Sequence, residues 1–383
     1  MFSRALNLAP GRLHFAAHSH HLWPDASFEG QTRAWEDANR HADRKWDLIF
    51  GEVVPEAQSQ VAAELNLPDP SSLVFASSTH DLLVRLFSGL ARRPARVLAT
   101  DGEFHSFRRQ ADRWVEAGAI ELTRVAAEPF EDFEDRFLAA ARDREWDVIL
   151  VSQVFFRSGR VVERLGALAD LAGPSRPWVV VDGYHGFMAL PTDLGPVADR
   201  LCYLAGGYKY AMSGEGACFL YAPPGVCTRP VTTGWFAEFG ALEGAARGVP
   251  YRTDAGRLWG ATFDPSALYR FNAVRQMLAD QGLSTADVSA HAAGLQGRFM
   301  SAVGAGEAGA LADAERLNPF EPGRSRARFL AFRDPRALTW RQALLDAGVV
   351  TDVREDVIRF GFGLYQDPED VDALIAACSR TLS

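Results

Sequence analysis

The stretches VVVDGYH (Val179–His185) and LAGGYKYAMSGEGACFLY (Leu204–Tyr221) decide the fold. The first begins with an apolar, β-branched run, which predicts a buried strand that ends at Asp182. The second starts at the end of another predicted strand. It continues through a glycine pair to Lys209, which lies between two tyrosines, and closes in a further strand. Polar side chains therefore follow the carboxyl ends of two predicted strands.

The same kind of strand recurs on both sides of these stretches. From about residue 54 to 225, β-branched runs alternate with helical patterns, which predicts βαβ units and a mainly parallel sheet covered on both faces. Ligands of such sheets bind beyond the carboxyl ends of the strands. The predicted strands are Ser72–Ala76, Arg96–Thr100, Asp147–Ser152, Trp178–Asp182, Arg200–Ala205 and Ala217–Tyr221, and the predicted helices are Val54–Leu67, His80–Ala91, Ser106–Ala117, Asp132–Arg142 and Val161–Ala172.

The pattern changes after about residue 265, which predicts a domain boundary. Residues 51–265 are expected to form a large α/β domain and residues 266–383 a smaller α+β domain. The latter is predicted to contain the helices Ser266–Gln281, Thr285–Ala305 and Pro368–Leu382 and the strands Ala327–Phe332 and Val357–Phe362. Residues 1–50 are rich in His and Trp. We expect them to form an N-terminal arm, part of the small domain, that packs across the active site or a partner subunit.

The composition is that of a globular protein and argues against several classes of partner. The chain has 383 residues, of which 48% are hydrophobic and 23% charged, with a formal net charge of -9. An acidic chain without a basic run is poorly suited to nucleic acid or to an anionic membrane. No apolar stretch approaches a bilayer span, and the first residues lack the apolar centre of a signal peptide, so we expect a cytoplasmic protein.

Asp182, His185 and Lys209 form the combination that indicates chemistry. Pyridoxal phosphate (PLP) needs a lysine amine for its resting Schiff base and a carboxylate that keeps its pyridine nitrogen protonated. Asp182 at a strand end is suited to the nitrogen, and Lys209 is suited to the aldehyde. Taken singly, each has an ordinary alternative: a helix N-cap for Asp182, a solvated residue for Lys209 and a structural histidine for His185. The ordered combination favours the cofactor site.

The order D-x-x-H followed by Y-K-Y-x-x-x-G-x-G resembles the class V aminotransferase superfamily of fold-type I PLP enzymes, and within it the kynureninases. Three further segments resemble kynureninase motifs in the same order: SQVFFRSG (Ser152–Gly159), GWF (Gly234–Phe236) and GVVTDVREDVIRFGFGLY (Gly348–Tyr365). The resemblance covers nearly the whole chain after residue 70. It implies a large domain with a mainly parallel seven-stranded sheet, a smaller C-terminal domain and a homodimer with shared active sites.

The resemblance also implies roles for the residues around the cofactor. Lys209 would form the Schiff base, Asp182 would pair with the pyridinium nitrogen, and His185 would lie beside the ring or its oxygen. The phosphate would be bound by Tyr208 and by the start of the helix that follows the strand SLVFA, where unpaired N–H groups and the helix dipole favour anions. The residues expected at the phosphate are Ser77, Ser78, Thr79, Tyr208, Trp235 and Thr262, the last two often from the neighbouring subunit.

Two positions are implied at the faces of the cofactor and substrate. The loop DGEFHSFRRQ offers Phe104 and His105 as the residue that stacks on the ring, and His105 is favoured. Arg359, in the strand pattern VIRFGF, offers a two-pronged guanidinium for the α-carboxylate of an amino acid substrate. The alternative for Arg359 is a structural ion pair.

The substrate region departs from the kynureninase pattern. The N-terminal family motif is replaced by AHSHHLWP (Ala17–Pro24), an asparagine by Phe155, and the asparagine before proline by Asp264. We expect a different amino acid substrate, with His18 and Phe155 lining its pocket; His20 and His21 are further candidates, and a structural role is equally open for all three histidines. The histidine cluster lacks the spacing and the companions of a metal site, so none is predicted.

Kynureninase-like hydrolytic Cβ–Cγ cleavage is the reaction that the resemblance implies first. A class V aminotransferase would use the same Lys209, Asp182 and Arg359 and is the alternative. The cysteine desulfurases of this superfamily need a nucleophilic cysteine shortly before the carboxylate-binding arginine, and no cysteine lies between Cys227 and Cys378. No CxxC pair occurs, so neither disulfides nor zinc are expected.

Overall fold

The structure is a computed structural model that describes residues 1–173, 177–241 and 248–382. Its α-helices are α1 (Ser3–Asn7), α2 (Asp25–His41), α3 (Lys45–Leu48), α4 (Val54–Leu65), α5 (Thr79–Ser88), α6 (His105–Glu116), α7 (Phe133–Asp143), α8 (Leu165–Ala169), α9 (Ser266–Asp280), α10 (Thr285–Gly304), α11 (Ala337–Asp346) and α12 (Pro368–Thr381). Its strands are β1 (Leu13–His14), β2 (Leu73–Ala76), β3 (Ala95–Thr100), β4 (Ile120–Val125), β5 (Val148–Ser152), β6 (Trp178–Asp182), β7 (Leu201–Ala205), β8 (Cys218–Tyr221), β9 (Glu315–Arg316), β10 (Phe329–Arg333), β11 (Val349–Val350), β12 (Asp352–Arg354) and β13 (Val357–Gly361).

A seven-stranded sheet forms the centre of the large domain, with the strand order β2-β8-β7-β6-β5-β3-β4. β4, β3, β5, β6 and β7 are mutually parallel. β8 is antiparallel to both β7 and β2, so β2 also runs parallel to β7. The mainly parallel α/β sheet expected from the sequence is therefore confirmed.

The sheet is covered on both faces, which explains its continuous apolar strands. Every residue of β5 and of β7 is buried, and successive side chains of a strand point to opposite faces. Burying a Val, Leu or Ile side chain contributes roughly 1.5–3 kcal/mol relative to leaving it exposed. The strand runs read from the sequence thus form the centre of the large core, and helices on both faces complete it.

The second domain has its own core. β12, β13, β10 and β9 form an antiparallel sheet in that order, and α10, α11 and α12 contribute to the same apolar cluster. The two C-terminal strands and three helices predicted after residue 265 are present with slightly different ends. The packing of α9 differs from the expectation, because its apolar side chains join the large core and the helix lies against α2 and α4.

The N-terminal segment joins both domains. Its helix α2 packs along α9, while β1 pairs with β11, and Ala16 forms a bridge to Gly361 beside β13. Phe15 is fully buried in the small-domain core. The arm predicted for residues 1–50 therefore contributes a long helix to one domain and a strand to the other.

Further elements differ from the sequence expectation, and α11 and the short strands β1, β9, β11 and β12 are among those that were not predicted. The edge strand β4 was not predicted, because its alternation of exposed and half-buried residues lacks a continuous apolar run. The helix expected over Val161–Ala172 is shorter, and α8 covers only Leu165–Ala169. Helix α2 was missed because charged and small residues interrupt its apolar stripe. Within the described ranges, no helix has both the length and the apolar character to cross a membrane.

Candidate active site

A cavity of about 510 Å³ lies beyond the carboxyl edge of the large sheet. The ends of β2, β3, β5, β6 and β7 meet there because these strands are parallel to one another. Side chains from the N-terminal segment and from β12 and β13 close the other side. The cavity therefore lies between the two domains, where enclosed ligand sites are common.

Asp182 is the last residue of β6 and lies on the cavity wall. In the parallel register it neighbours Ser152 of β5 and Leu204 of β7. Its Oδ1 accepts a hydrogen bond of 2.9 Å from the backbone N–H of Tyr184. Burial raises the pKa of Asp182, while this hydrogen bond and the charge of Lys209 act in the opposite direction. The carboxyl group is thus an enclosed one that a cationic partner would hold in its charged form.

Lys209 follows β7 by four residues and reaches the same cavity. Its Nζ donates a hydrogen bond of 2.7 Å to Nε2 of His185 and lies 4.9 Å from the ring centre of Tyr184. Burial lowers the pKa of Lys209 to about 7, and the charge of Arg359 adds to this effect. A large fraction of this amine is therefore uncharged, and nucleophilic, near neutral pH.

The glycine pair before Lys209 is explained by protein contacts. A Cβ on Gly206 would lie 2.5 Å from Sγ of Cys218, and one on Gly207 would overlap with Oγ of Ser213. Their backbones therefore pack against side chains of the following turn and strand. This close packing within the protein requires glycine at both positions.

Helix α5 begins at the cavity, as the sequence predicted. Ser77, Ser78 and Thr79 all line it. Oγ of Ser78 accepts a hydrogen bond of 3.1 Å from the backbone N–H of Asp81, so Ser78 is the N-cap of the helix. The ordinary N-cap role and the position at the cavity are therefore both present. A helix N-terminus that opens into a cavity is suited to an anion.

Tyr208 and His20 form a pair on the cavity side of the N-terminal segment. Tyr208 lines the cavity, and its Oη lies 3.2 Å from Nδ1 of His20 in a hydrogen bond. His21 is buried instead against Tyr210 and Tyr365, and its Nδ1 bonds to the backbone carbonyl of Leu22. His21 therefore has a structural position.

His18 is the most unusual of the N-terminal histidines. Its side chain is fully buried, lines the cavity and stacks on Phe329 at 4.7 Å between ring centres. Neither ring nitrogen has a hydrogen-bond partner among the described residues. Burial lowers the pKa of His18 well below its ordinary value, and the charge of Arg359 acts in the same direction. The imidazole is therefore neutral and free to bond to a ligand.

Two aromatic positions differ by one residue from the sequence expectation. Phe104 lines the cavity, and Lys209 Nζ lies 5.6 Å from its ring centre, whereas His105 begins α6 and lines a separate surface depression. Phe156 lines the cavity, whereas Phe155 is packed in the large core against Phe133. In each pair the two adjacent residues of the connecting segment face different surroundings, so the sequence motif alone did not decide which of them faces the site.

Arg359 reaches the cavity but is already paired. Its Nη2 lies 2.5 Å from Oδ1 of Asp352, and its Nη1 donates to the backbone carbonyl of Phe156. Only 2% of Arg359 is exposed. The sequence left two alternatives for Arg359, a substrate-binding residue and a structural ion pair. The structure contains the ion pair, and the same guanidinium also lines the cavity. Arg354, two residues beyond Asp352, also lines the cavity.

Trp235 and Thr262 do not line this cavity in the described part of the chain. Trp235 is partly exposed and stacks on Phe236, and Thr262 is exposed. In the described ranges, no group of three or more His, Cys, Asp or Glu side chains is arranged to hold a metal ion.

A buried carboxyl behind the cavity wall was not predicted from the sequence. Glu103 is 1% exposed and accepts hydrogen bonds from the hydroxyls of Thr100, at 2.6 Å, and Ser152, at 2.5 Å. Burial raises the pKa of Glu103 to about 7. Ser152 lines the cavity beside Asp182. The sequence signal that could have pointed to this cluster is the position of Ser152 and Asp182 at the ends of two predicted strands.

Solved structures similar to the whole chain share this architecture. A complex of the cystine C-S lyase C-DES with its reaction product, cysteine persulfide, aligns with a TM-score of 0.83 and 16% identity, covering 99% of this chain and 100% of that one. The cysteine desulfurase CsdA of Escherichia coli gives a TM-score of 0.76 and 16% identity, with 99% and 97% coverage. The apo cysteine desulfurase of Thermococcus onnurineus NA1 gives 0.77 and 15%, with 99% and 96% coverage.

The chain has the fold of the fold-type I PLP enzymes. Since the alignments cover 99% of the chain, the shared fold includes the N-terminal segment and the small domain as well as the sheet. Within it, residues 288–378 match the family model described as the kynureninase C-terminal domain. No curated protein matches the sequence.

Proposed function

We propose that this protein is a PLP-dependent enzyme that acts on an amino acid by kynureninase-type hydrolytic cleavage of its Cβ–Cγ bond. The observation that carries the proposal is that Lys209 and Asp182 lie on the wall of one cavity of about 510 Å³, together with the N-terminus of α5 and Arg359. An amine, a carboxylate, an anion site and a guanidinium are the groups that PLP and an amino acid require. The small-domain match to kynureninase supports the reaction type.

The charges of the cavity fit PLP. Asp182 has a raised pKa because it is buried, and a protonated pyridine nitrogen would supply the cation that this carboxylate lacks. Lys209 has a lowered pKa of about 7, which suits an amine that must attack an aldehyde at neutral pH. His185 is buried, its pKa is lowered by burial and by the charge of Lys209, and it accepts a hydrogen bond from the lysine amine. It would orient that amine toward the cofactor.

The remaining groups fit the two ends of the cofactor. Ser77, Ser78 and Thr79 at the start of α5 would bind the phosphate, with Tyr208 contributing its hydroxyl. Phe104, rather than the His105 favoured from the sequence, would stack on the ring, since Phe104 is the one that lines the cavity. When bound, PLP supplies an electron sink for the negative charge that develops at Cα of the substrate.

The substrate would lie between the cofactor and the small domain. Arg359 would bind its α-carboxylate through the guanidinium hydrogens that Asp352 and Phe156 leave available. His18 would contact its side chain, because this neutral imidazole makes no hydrogen bond to any of the described residues. Phe156 would take the place assigned to Phe155 from the sequence. In the hydrolysis of a γ-ketone, water adds to the carbonyl carbon, a proton is delivered to Cβ, and the products are alanine and a carboxylic acid.

A homodimer and a cytoplasmic location belong to this proposal. Large apolar side chains are exposed near Trp235, with Val231 80% and Phe239 58% exposed, which supports a protein interface there. Trp235 and Thr262 would reach the active site of the partner subunit. All four cysteines are buried as free thiols, in agreement with a reducing compartment. Light scattering on the purified protein tests the dimer.

The cofactor assignment is tested by the two lysines of the chain, Lys45 and Lys209. Purified protein is incubated with PLP, reduced with borohydride, digested and analysed by mass spectrometry. We expect the phosphopyridoxyl group on Lys209 in the wild type and in Lys45→Ala, and its loss together with the yellow colour in Lys209→Ala. A label that stays in Lys209→Ala, or that is found on Lys45, contradicts the proposal.

The reaction is tested with the PLP-loaded wild type. Kynurenine, 3-hydroxykynurenine and aliphatic γ-keto amino acids are incubated with and without added keto acids. A hydrolase releases alanine from its substrate without a keto acid. An aminotransferase, the alternative with the same Lys209, Asp182 and Arg359, produces a new amino acid only when a keto acid is present, and this result would replace the hydrolase.

A further inference from the structure

The small-domain wall of the cavity carries two arginines that share one carboxylate. Arg354 and Asp352 belong to β12, and Arg359 to β13, where it is the register partner of Asp352. Nη1 of Arg354 lies 3.1 Å, and Nη2 of Arg359 2.5 Å, from the same oxygen, Oδ1 of Asp352. Among the described residues, Asp352 is the carboxylate that pairs with these guanidiniums. The three side chains together retain one positive charge.

The two guanidiniums differ in what they can offer a ligand. Arg359 is almost fully buried and uses Nε, Nη1 and Nη2 in bonds to Asp352 and Phe156. The side chain of Arg354 is 36% exposed, and its bonds to Asp352 and to the carbonyl of Val353 both come from Nη1. In the described ranges no hydrogen bond is made by Nε or Nη2 of Arg354. One edge of this guanidinium is therefore available at the cavity.

The positive charge is not balanced elsewhere on this wall. Asp182 and Glu215 are the carboxylates that line the cavity in the described residues. Asp182 is proposed to pair with the ring nitrogen of the cofactor. Glu215 lies on the side of the proposed phosphate site. Burial lowers the pKa of His20, and the charge of Glu215 opposes this effect. Burial raises the pKa of Tyr208, and the charge of Glu215 adds to it. Arg354 and Arg359, by contrast, both lower the pKa of Lys209 and of His18, after the larger effect of burial.

We propose that Arg354 determines substrate specificity by binding an acidic group on the side chain of the substrate, so that this site takes γ-keto amino acids that carry a second carboxylate, for which acidic amino acids serve as binding probes. This proposal rests on the proposed function, in which Arg359 binds the α-carboxylate. Because both guanidiniums reach one oxygen of Asp352, they are neighbours, and this spacing suits two carboxylates separated by a short carbon chain. A guanidinium edge that meets a carboxylate forms two parallel, charge-assisted hydrogen bonds.

The test compares acids with their amides, which have nearly the same shape and differ in charge. PLP-loaded protein is titrated with L-aspartate, L-asparagine, L-glutamate and L-glutamine, and Kd is read from the visible absorbance of the cofactor. We expect at least one acid to bind about tenfold tighter than its amide, which corresponds to about 1.4 kcal/mol. Arg354→Gln should abolish this difference by weakening the acid alone, and Arg354→Lys should retain part of it. Arg380→Gln, an exposed change of equal charge on α12, should leave both Kd values unchanged.

The outcomes separate this inference from the proposed function. The role of Arg354 is overturned by any of three results in the wild type: equal Kd values for acid and amide, no binding of either, or tighter binding of kynurenine than of both acids. In each case a borohydride label on Lys209 would still support the cofactor site. Absence of that label removes the proposed function, and the inference with it. The wild-type comparison needs no variant, so it decides the question even where Arg354→Gln does not fold.

Discussion

The two walls of the cavity are built from different kinds of sequence. At the sheet edge, the chemical groups follow strands that are neighbours in the sheet: Asp182 ends β6, and Lys209 follows β7. At the opposite wall, His18 comes from the N-terminal segment, and Arg354 and Arg359 come from the last strands of the small domain. The first wall can be read from local motifs, whereas the second exists only after the chain ends have met.

The difference also concerns charge. The sheet-edge wall carries a carboxyl whose pKa is raised and an amine whose pKa is lowered, in both cases mainly by burial. Within the described ranges, the small-domain wall presents a neutral imidazole that makes no hydrogen bond and two guanidiniums that share one carboxylate. We infer that the former is adapted to one constant ligand, the cofactor, and the latter to the variable part of the chemistry, the substrate.

The largest expected effect is a loss of activity when Asp182, on the sheet-edge wall, is changed. Asp182→Asn keeps the size of the side chain but removes the charge that would hold the ring nitrogen protonated, so kcat/KM should fall by about 10³-fold, or about 4 kcal/mol. Asp193→Asn is the matched control, because Oδ1 of Asp193 also accepts a bond from the N–H two residues on but lies outside the cavity. A loss of less than tenfold in Asp182→Asn contradicts the assignment.

The next effect is a pH dependence of stability that is caused by Glu103, the buried carboxyl behind the same wall. The pKa of Glu103 is raised from its ordinary 4.5 to about 7 in the folded protein. Between these values the unfolded chain has released the proton and the folded one has not, so stability falls as pH rises from about 4.5 to 7 and levels off above. The loss amounts to about 3 kcal/mol. Urea unfolding between pH 5 and 8 should show this slope in the wild type.

Glu103→Gln should remove that slope, because its side chain is uncharged at every pH. Glu307→Gln changes an exposed carboxyl beyond α10 and should keep the wild-type slope. Parallel slopes in the wild type and in Glu103→Gln would show that Glu103 does not remain protonated into the neutral range.

A smaller effect should break the substrate wall alone. A Cβ on Gly361 would overlap with Nδ1 of His18 and lie 2.9 Å from the backbone nitrogens of Ala17 and His18. Gly361→Ala should therefore displace the N-terminal segment and cost about 1–3 kcal/mol of unfolding free energy. We expect weaker amino acid binding, with the visible absorbance of bound PLP retained.

The control for this change is Gly297→Ala in α10, where a Cβ meets nothing within 4 Å. It should stabilise the protein by roughly 0.5–1 kcal/mol, since alanine is the better helix former. If Gly361→Ala resembles this control in both stability and substrate Kd, His18 is not held against β13 as described.

The smallest effect separates two roles of Ser78, the binding of an anion and the capping of a helix. Ser78→Ala and Ser284→Ala each remove an N-cap hydroxyl that accepts a hydrogen bond from the backbone three residues on, at 3.1 and 3.2 Å. Each should lose about 1 kcal/mol of stability. Only Ser78→Ala should also weaken PLP binding, measured by absorbance titration. Equal PLP affinities in the two variants would leave Ser78 with the capping role alone.

The one-residue differences show the limit of motif reading. Phe104 and His105 are adjacent, as are Phe155 and Phe156, and in each pair only one side chain faces the cavity. A motif gives the place of the loop along the chain, but the direction of a side chain depends on how the strand before it ends. The same limit applied to Glu103, whose burial could be recognised only once β3 and β5 were neighbours.

The sequence by itself determined six of the seven strands of the large sheet, their burial and the polar residues at their carboxyl ends, because these depend on local periodicity and on the few residue types that the chemistry admits. Only the tertiary structure decided how α9 and the N-terminal segment divide between the two cores, which aromatic ring faces the cavity, and that Arg354, Arg359 and His18 share its second wall. The meeting of His18 with the small domain, for example, depends on contacts between residues more than 300 positions apart, and such contacts leave no periodic pattern in the sequence.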